Sequence, residues 1–524
     1  DKWDTDAFDP AVPLHGWTQV PIVPSFPFPN ARIKGMAMPP TVDQNIYKPV
    51  TVRRLANEYG GPVWVYDLGT NIVGTCSVKV NAFSAPAATI KLRHGEMLLN
   101  NGSLNLNYSG HDTGVKAQFQ EDTHMLRPSP AATTTVRSAF VWYGFQYISV
   151  EASEEDLFTG ALDALECWQM FPDMGVGAQL LFGDDALSEN VGQKLNGLQS
   201  IVQMSQLGNL AQYAPTDCPT REKHFWLGDA LATAEEAMLN FDVAPLYANF
   251  LSIMADEQGH NSKPKDIPGV VPVTSENWYD RVGDVSWGAA FPMILSWMWK
   301  HYGDRRIVAK FYGVSKSYVD FLENESLATS NTSLVSFYIW GDWCSMQNRV
   351  VATKASGPPL SGFNYIMSLD AMSKMANVLG KKDDAERYQA LAAKLRAAWH
   401  TAYFNEAQGL YGYAAQDGFA CQTLTAAPLA MGNVVPEKLL DGLLANLKND
   451  VVNVRSLHQT FGSVGAKHFF SQLSNHGMHK VAMEVATQDT YPSFGYWIKK
   501  GATTCWENWS GVADPMHPPQ PVSC

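Results

Sequence analysis

The sequence predicts a two-part chain, a Pro-rich lead-in and β-sandwich over residues 1–190 followed by a toroid of helical hairpins over 191–524. Three observations carry this expectation. At 524 residues the chain is too long for one ordinary hydrophobic core. Its first third sets short runs of β-branched and aromatic residues between clusters of Gly, Asn, Pro and Ser. From about residue 190 onward the apolar spacing becomes that of a helix.

In chain order, the stretch from Pro21 to Pro40 reads as an extended lead-in rather than a strand. Strands follow at Val63-Trp64-Val65-Tyr66, 76–80, 89–92 and 141–148, and their regular recurrence implies a sandwich. Helical patterns then cover 287–301, 305–322, 364–379, 437–447 and 466–473. A further helix opens on the capping Asp383 and places Ala385, Tyr388, Leu391, Leu395 and Ala398 on one face. Gly303-Asp304, Gly380-Lys381 and Gly477-Met478 form short steps between successive helices. About eleven helices can be drawn in this way, in antiparallel pairs.

A net charge of -13 disfavours nucleic acid or an anionic membrane as partner. No apolar run is long enough to span a bilayer. The chain opens on Asp1-Lys2-Trp3 without an initiator Met, as a processed secreted product would. Asn-x-Ser/Thr sequons at Asn101, Asn107, Asn324 and Asn331 are candidates for glycosylation, and a fifth stands at Asn508. The expectation is an extracellular protein. Seven cysteines (Cys76, Cys167, Cys218, Cys344, Cys421, Cys505, Cys524) show no zinc-site spacing, and no metal or cofactor is expected. Their odd number leaves one free or bridged to another chain, with Cys524 the natural candidate.

Two clusters carry chemistry. Asp217-Cys-Pro-Thr-Arg221-Glu222-Lys-His-Phe-Trp226-Leu-Gly-Asp229 gathers three carboxylates, an arginine and a tryptophan at the entrance to the helical region. Gly501-Ala-Thr-Thr-Cys-Trp506-Glu507-Asn-Trp509 supplies a further carboxylate between tryptophans. Glycoside cleavage needs such a set: one carboxyl to deliver a proton, another to activate water, others for hydroxyls, and an aromatic face for the sugar ring. Each residue also has a plainer reading. Glu222 could be a solvated first-turn residue, Asp217 and Asp229 helix caps, Asp342 a turn residue, and the tryptophans core aromatics. His94 and Glu96 read as structural.

These motifs resemble the α-L-rhamnosidases of glycoside hydrolase family seventy-eight. The resemblance spans roughly residues 60 to 510. It includes Tyr66-Asp67-Leu68-Gly69-Thr70-Asn71, Leu92-Arg93-His94-Gly95-Glu96 and Phe145-Gln146-Tyr147-Ile148 in the β region. Gly341-Asp342-Trp343 and the run from Gln488 to Trp497 then lie in order between the two clusters. It implies an (α/α)6 six-hairpin barrel behind a β-sandwich, and release of terminal α-L-rhamnose from rhamnosides or polysaccharides with inversion. It implies Glu222 as general acid and Glu507 as general base. Asp217, Asp229 and Asp342 would hold hydroxyls, and Trp226, Trp287 and Trp343, with Trp497 and Trp506, would line the pocket.

The acid must keep its proton near working pH, so the Glu222 carboxyl is expected to be raised by burial and by Asp217 and Asp229. Arg221 is expected to pair with an aspartate and stay off Glu222. A glycan on Asn508 would block the pocket, so that sequon is expected to be unmodified. Family members continue into a last barrel helix, a C-terminal β domain and a histidine near the sugar, for which His517 in its Pro-rich setting is no obvious substitute. The expectation is a barrel lacking its last helix, completed by a second chain. Rival readings are a related exo-glycosidase of another sugar preference and a rhamnose-binding protein without turnover.

Overall fold

The computed structural model describes residues 35–509 except 56–61, 84–87, 108–119, 129–132, 176, 184–189, 260–264, 272–282, 330–333, 336, 347–348, 413–420 and 508, and only the backbone of 329, 349–355 and 421. The lead-in to residue 34, Asn331, Asn508, and the tail with His517, Cys524 and any last helix lie outside the described residues. The chain divides into two compact units between Asp173 and Met174.

The first unit is one connected antiparallel sheet of eight strands: β1 (Thr41–Tyr47), β2 (Thr51–Leu55), β3 (Val63–Asn81), β4 (Ala88–Gly95), β5 (Glu121–Leu126), β6 (Thr133–Arg137), β7 (Tyr143–Ala152) and β8 (Leu165–Pro172). The runs at 63–66 and 76–80 belong to a single 19-residue strand, β3. It carries β2 and then β8 along one edge, and β7 and then β6 along the other. Flanked on both sides, β3 is buried almost throughout, which explains its nearly continuous apolar sequence. Its pairing with β7 shifts between Asp67 and Ile72, where Gly69 takes the left-handed φ of 69°. By contrast β4 and β8 alternate buried with half-buried positions, as strands with one covered face do. Cys76 lies opposite Cys167 in the β3–β8 register, and the two form a disulfide. His94 is buried, stacked on Tyr143 with ring centres 4.3 Å apart. Glu96 accepts a 2.6 Å hydrogen bond from Asn71. Both belong to the core of this sheet. Asn101 and Asn107 are exposed, as is Asn324 in the second unit.

The second unit is helical, with two short pairs of strands inserted among the described residues. In order come α1 (Val191–Gly208), β9 (Phe225–Trp226), α2 (Leu227–Asn240), α3 (Ala244–Asp256), β10 (Val270–Val271), α4 (Val285–Gly288), α5 (Ala290–Tyr302), α6 (Arg305–Thr329), α7 (Arg349–Leu379) and α8 (Lys382–Tyr403). Then follow β11 (Phe404–Asn405), β12 (Leu410–Tyr411), α9 (Cys421–Met431), α10 (Glu437–Asn449), α11 (Ser463–Asn475), α12 (His479–Ala486) and α13 (Phe494–Lys499). Among the described residues this makes thirteen α-helices, of which α4 and α13 are short. Gly303 (φ 65°) and Gly380 (φ 76°) close α5 and α7 in the left-handed conformation, so each helix ends and the next begins almost at once. Asp304 caps the entrance to α6 by accepting the Arg306 N–H at 2.9 Å.

Successive helices pack as pairs: α5 along α6, α7 along α8, and α11 along α12, with α2, α5, α7, α9 and α11 contacting one another in series. The run also meets its own beginning, since α1 packs against α13. No helix among the described residues is long and apolar enough to cross a membrane.

Candidate active site

The segment 217–229 is a tight loop followed by a strand and a helix start. Asp217 and His224 close its base: the Asp217 N–H donates to the His224 carbonyl at 2.9 Å, and the His224 N–H donates to Asp217 Oδ1 at 2.8 Å. Inside, the N–H groups of Arg221, Glu222 and Lys223 all turn toward the Cys218 carbonyl, 3.2–3.3 Å away. Lys223 adopts φ 58°, a costly conformation for a residue with a Cβ. Pairing of β9 with β10 fixes the exit, and Asp229 falls in the first turn of α2.

The loop projects Arg221 and Glu222 toward Glu507. Arg221 Nε donates to Glu222 Oε1 at 2.8 Å; its Nη1 and Nη2 donate to Glu507 Oε2 and Oε1, each at 2.7 Å. Nη2 lies 2.7 Å from Oε1 of both glutamates, so those two oxygens are no farther apart than twice 2.7 Å. The expectation that Arg221 would avoid Glu222 is therefore overturned. A buried guanidinium seeks the nearest pair of carboxylates, and a planar fork satisfies two at once.

This clamp also reverses the electrostatics expected of Glu222. Burial alone would raise its carboxyl, but the hydrogen bond with Asp217, the Arg221 charge and the Trp226 indole N–H (2.9 Å to Oε2) together hold it down at about 2. Asp217 moves the other way: burial and the Glu222 charge push its carboxyl well above the usual carboxylate range. Asp229 is the other raised carboxyl. Burial and the charges of Glu222 and Glu507 push it up to about 7, although solvent still reaches part of the residue. Burial and Glu507 also raise the thiol of Cys344, a free cysteine held at φ 59° in the turn after Trp343.

Asp342 is engaged within the fold. It is buried, and its carboxylate accepts from Thr423 Oγ1 (2.6 Å) and from the N–H groups of Gly462 (2.8 Å), Val464 (3.2 Å) and Gly465 (3.2 Å). A carboxylate has about four acceptor sites. Three of these bonds cap the start of α11 and the fourth ties Asp342 to Thr423 of α9. Asp217 is likewise taken up by His224 and Glu222.

Among the tryptophans, Trp226, bonded to Glu222, is half-buried, as are Trp343 and Trp506. Trp287 is buried; a Cβ on Gly228 would lie 2.2 Å from its ring, so Gly228 is what lets the ring lie on α2. Trp497 is a core residue. It stacks on Trp509 with ring centres 4.7 Å apart and donates its indole N–H to the Trp509 carbonyl. Two contributors escaped the sequence reading. Trp340 packs between Trp226 (5.2 Å) and Trp287 (4.7 Å). Asp284 caps α4 through the Ser286 N–H (2.7 Å) and accepts the Ile339 N–H (2.5 Å), which ties Trp287 to Trp340. The signal for Asp284 was present as Asp two places before Ser286 at a helix start. Among the described residues no group of metal-ligating side chains gathers.

Comparison with known proteins agrees with this architecture. A family model, bacterial alpha-L-rhamnosidase 6 hairpin glycosidase domain, matches residues 189–523, and another, bacterial alpha-L-rhamnosidase concanavalin-like domain, matches 58–167. An alpha-L-rhamnosidase of Streptomyces avermitilis is 27% identical over 472 residues, 89% of this chain and 41% of that protein. The structure of alpha-L-rhamnosidase from Dictyoglumus thermophilum matches with a TM-score of 0.78 at 29% identity, over 92% of this chain and 50% of the other. A Streptomyces avermitilis alpha-L-rhamnosidase complexed with L-rhamnose gives 0.77 at 25% identity, over 93% and 42%. The chain thus spans about half the length of these relatives, or less. With a six-hairpin match across most of its length, behind a matching sheet domain, the chain belongs to the bacterial alpha-L-rhamnosidase family.

Proposed function

We propose that this chain carries the catalytic site of an inverting exo-glycosidase that releases terminal α-L-rhamnose from rhamnosides or rhamnose-containing polysaccharides. The observation that carries the proposal is the clamp of Arg221 on Glu222 and Glu507, with Trp226 bonded to Glu222 and the carboxyl of Asp229 raised by burial and the charges of both glutamates. Membership of the family and a relative with rhamnose bound support the sugar.

Glu507 is the general base. It takes a proton from water as the water oxygen bonds to the anomeric carbon and the glycosidic C–O bond breaks. The leaving oxygen needs a proton, and here the sequence reading is revised. Glu222, assigned as the acid from the motif, has its carboxyl lowered by Asp217, Arg221 and Trp226, the last two engaging both of its oxygens, and Arg221 lies between it and Glu507. Asp229, protonated up to about 7 and partly open, is the better donor. Glu222 then anchors Arg221.

The test compares Asp229→Asn, Glu222→Gln and Glu507→Gln on p-nitrophenyl α-L-rhamnoside and on an alkyl rhamnoside. Loss of a general acid hurts a poor leaving group far more than a good one. Asp229→Asn should therefore lose more than tenfold further on the alkyl substrate, within the range of about 10²–10⁴ expected of general acid catalysis. An equal loss on both, with the skewed loss in Glu222→Gln, returns the acid role to Glu222. Inert native protein that still binds rhamnose would favour the non-catalytic reading.

The proposed setting is extracellular, supported by the Cys76–Cys167 disulfide and a disulfide at Cys218. A second chain completing the ring forms no part of the proposal, because α1 already packs against α13.

A further inference from the structure

Arg221 spends its donors on carboxylates. Its three hydrogen bonds run to Glu222 and Glu507, two of them forming a fork on Glu507. The contacts join positions 286 residues apart, one in the entrance loop and one near the end of the helical unit. The guanidinium is mostly buried, with 16% of its side-chain surface exposed, against 8% for Glu222 and 11% for Glu507. A guanidinium with these acceptors has little donor capacity left for sugar hydroxyls.

We propose that Arg221 is a positioning residue of the reaction: braced on Glu222, it fixes the plane and rotamer of the Glu507 carboxylate, without touching the sugar. The fork geometry carries this. Two parallel N–H···O bonds at 2.7 Å define the carboxylate plane, which a single contact would leave free to rotate. The Nε contact to Glu222 Oε1 in turn stops the guanidinium from swinging with its partner. Glu222 is itself pinned by the Trp226 indole, whose ring packs edge-on against Trp340. The chain of restraint therefore runs from the aromatic wall through Glu222 and Arg221 to Glu507. Of the roughly four acceptor sites on Glu507, the fork uses two. A water giving up its proton must then approach on the side turned away from Arg221, so the fork also selects the direction of attack.

The inference rests on Glu507 as base, and the experiment separates the two. Steady-state kinetics on p-nitrophenyl α-L-rhamnoside are measured for Arg221→Ala, Arg221→Lys and Glu507→Gln, with and without guanidinium chloride at tens of millimolar. A misplaced base costs about a hundredfold in rate. Arg221→Ala should lose about that much in kcat with KM within about twofold of the parent, and added guanidinium should restore part of it. Arg221→Lys keeps the charge but cannot form the fork, so its kcat should fall with KM unchanged and without rescue. If Arg221→Ala does not fold, the Lys variant decides alone: an unchanged kcat, or a raised KM with unchanged kcat, overturns the positioning role. A Glu507→Gln enzyme with full turnover overturns the base assignment itself. An inactive Glu507→Gln beside an Arg221→Ala that guanidinium cannot rescue leaves the base standing and removes the clamp.

Discussion

The carboxylate of Asp342 accepts four hydrogen bonds from Thr423, Gly462, Val464 and Gly465, and that engagement decides what its loss would do. Truncation strands three backbone N–H groups at the start of α11 and the Thr423 hydroxyl of α9. Asp342→Ala should cost about 3 kcal/mol or more, read as a lower urea midpoint. KM for a rhamnoside should stay unchanged in the folded fraction. A sugar-binding Asp342 would give the opposite pattern, a raised KM with little change in stability. Asp229 is tested by pH. As the proposed proton donor, with its carboxyl at about 7, it is competent below that value and loses its proton above it. The rate should therefore fall as pH rises through about 7, and Asp229→Asn should abolish that limb from a low plateau. A limb that persists in Asp229→Asn would place the titrating acid elsewhere.

Helix α2 brings a second carboxyl into view. Glu236 is seven residues after Asp229 and so lies on the same face, two turns on. Burial raises its carboxyl to about 8, even though Asn240 donates to Oε1 at 2.6 Å and Lys467 opposes the shift. Its folded value exceeds the unfolded one, so its contribution to stability is full below about 4.5 and is lost as pH rises through about 8. Asp229 contributes in the same sense up to about 7. Glu236→Gln should thus flatten part of the decline in unfolding free energy between pH 5 and pH 8, a range set by these two groups. Unfolding midpoints at the two ends of that range measure it, and an unaltered slope would show that Glu236 does not titrate there. Much of the element pattern was legible in sequence, because strands such as β4 and helices such as α8 advertise their buried face by period. Less legible was anything set by a partner distant in the chain. Arg221 could be read as cationic and near Glu222, but its fork on Glu507 depends on where the unit brings residue 507. Trp340 was hidden for the same reason, since a bridge through Asp284, 56 residues away in sequence, brings it against Trp287.

At the scale of the whole molecule, each member of the carboxylate cluster comes from the unit beginning at Met174. That unit closes on itself by contacts between its two ends. Beyond the Arg221–Glu507 fork, α1 packs on α13, Lys194 pairs with Asp489 at 3.3 Å, and the Cys505 N–H donates to Ser205 Oγ at 2.7 Å. Loop closure cost grows only logarithmically with length, so joining such distant ends is inexpensive once the intervening hairpins have formed. The sheet unit has its own closure in the Cys76–Cys167 disulfide, which ties residues 91 apart in sequence. Removing that cross-link frees the unfolded chain of the sheet unit without deleting any side chain of the carboxylate cluster. The double variant Cys76→Ala/Cys167→Ala should lose about 2–5 kcal/mol in the transition that belongs to the sheet. Its kcat on p-nitrophenyl α-L-rhamnoside, measured well below that transition, should equal that of the parent. Calorimetry beside kinetics makes the comparison: a lower melting transition at constant kcat assigns the disulfide to the sheet alone. A kcat that falls at a temperature where the sheet is still folded would mean that the geometry around Glu507 depends on the sheet unit, and the cluster could no longer be treated as the property of one unit.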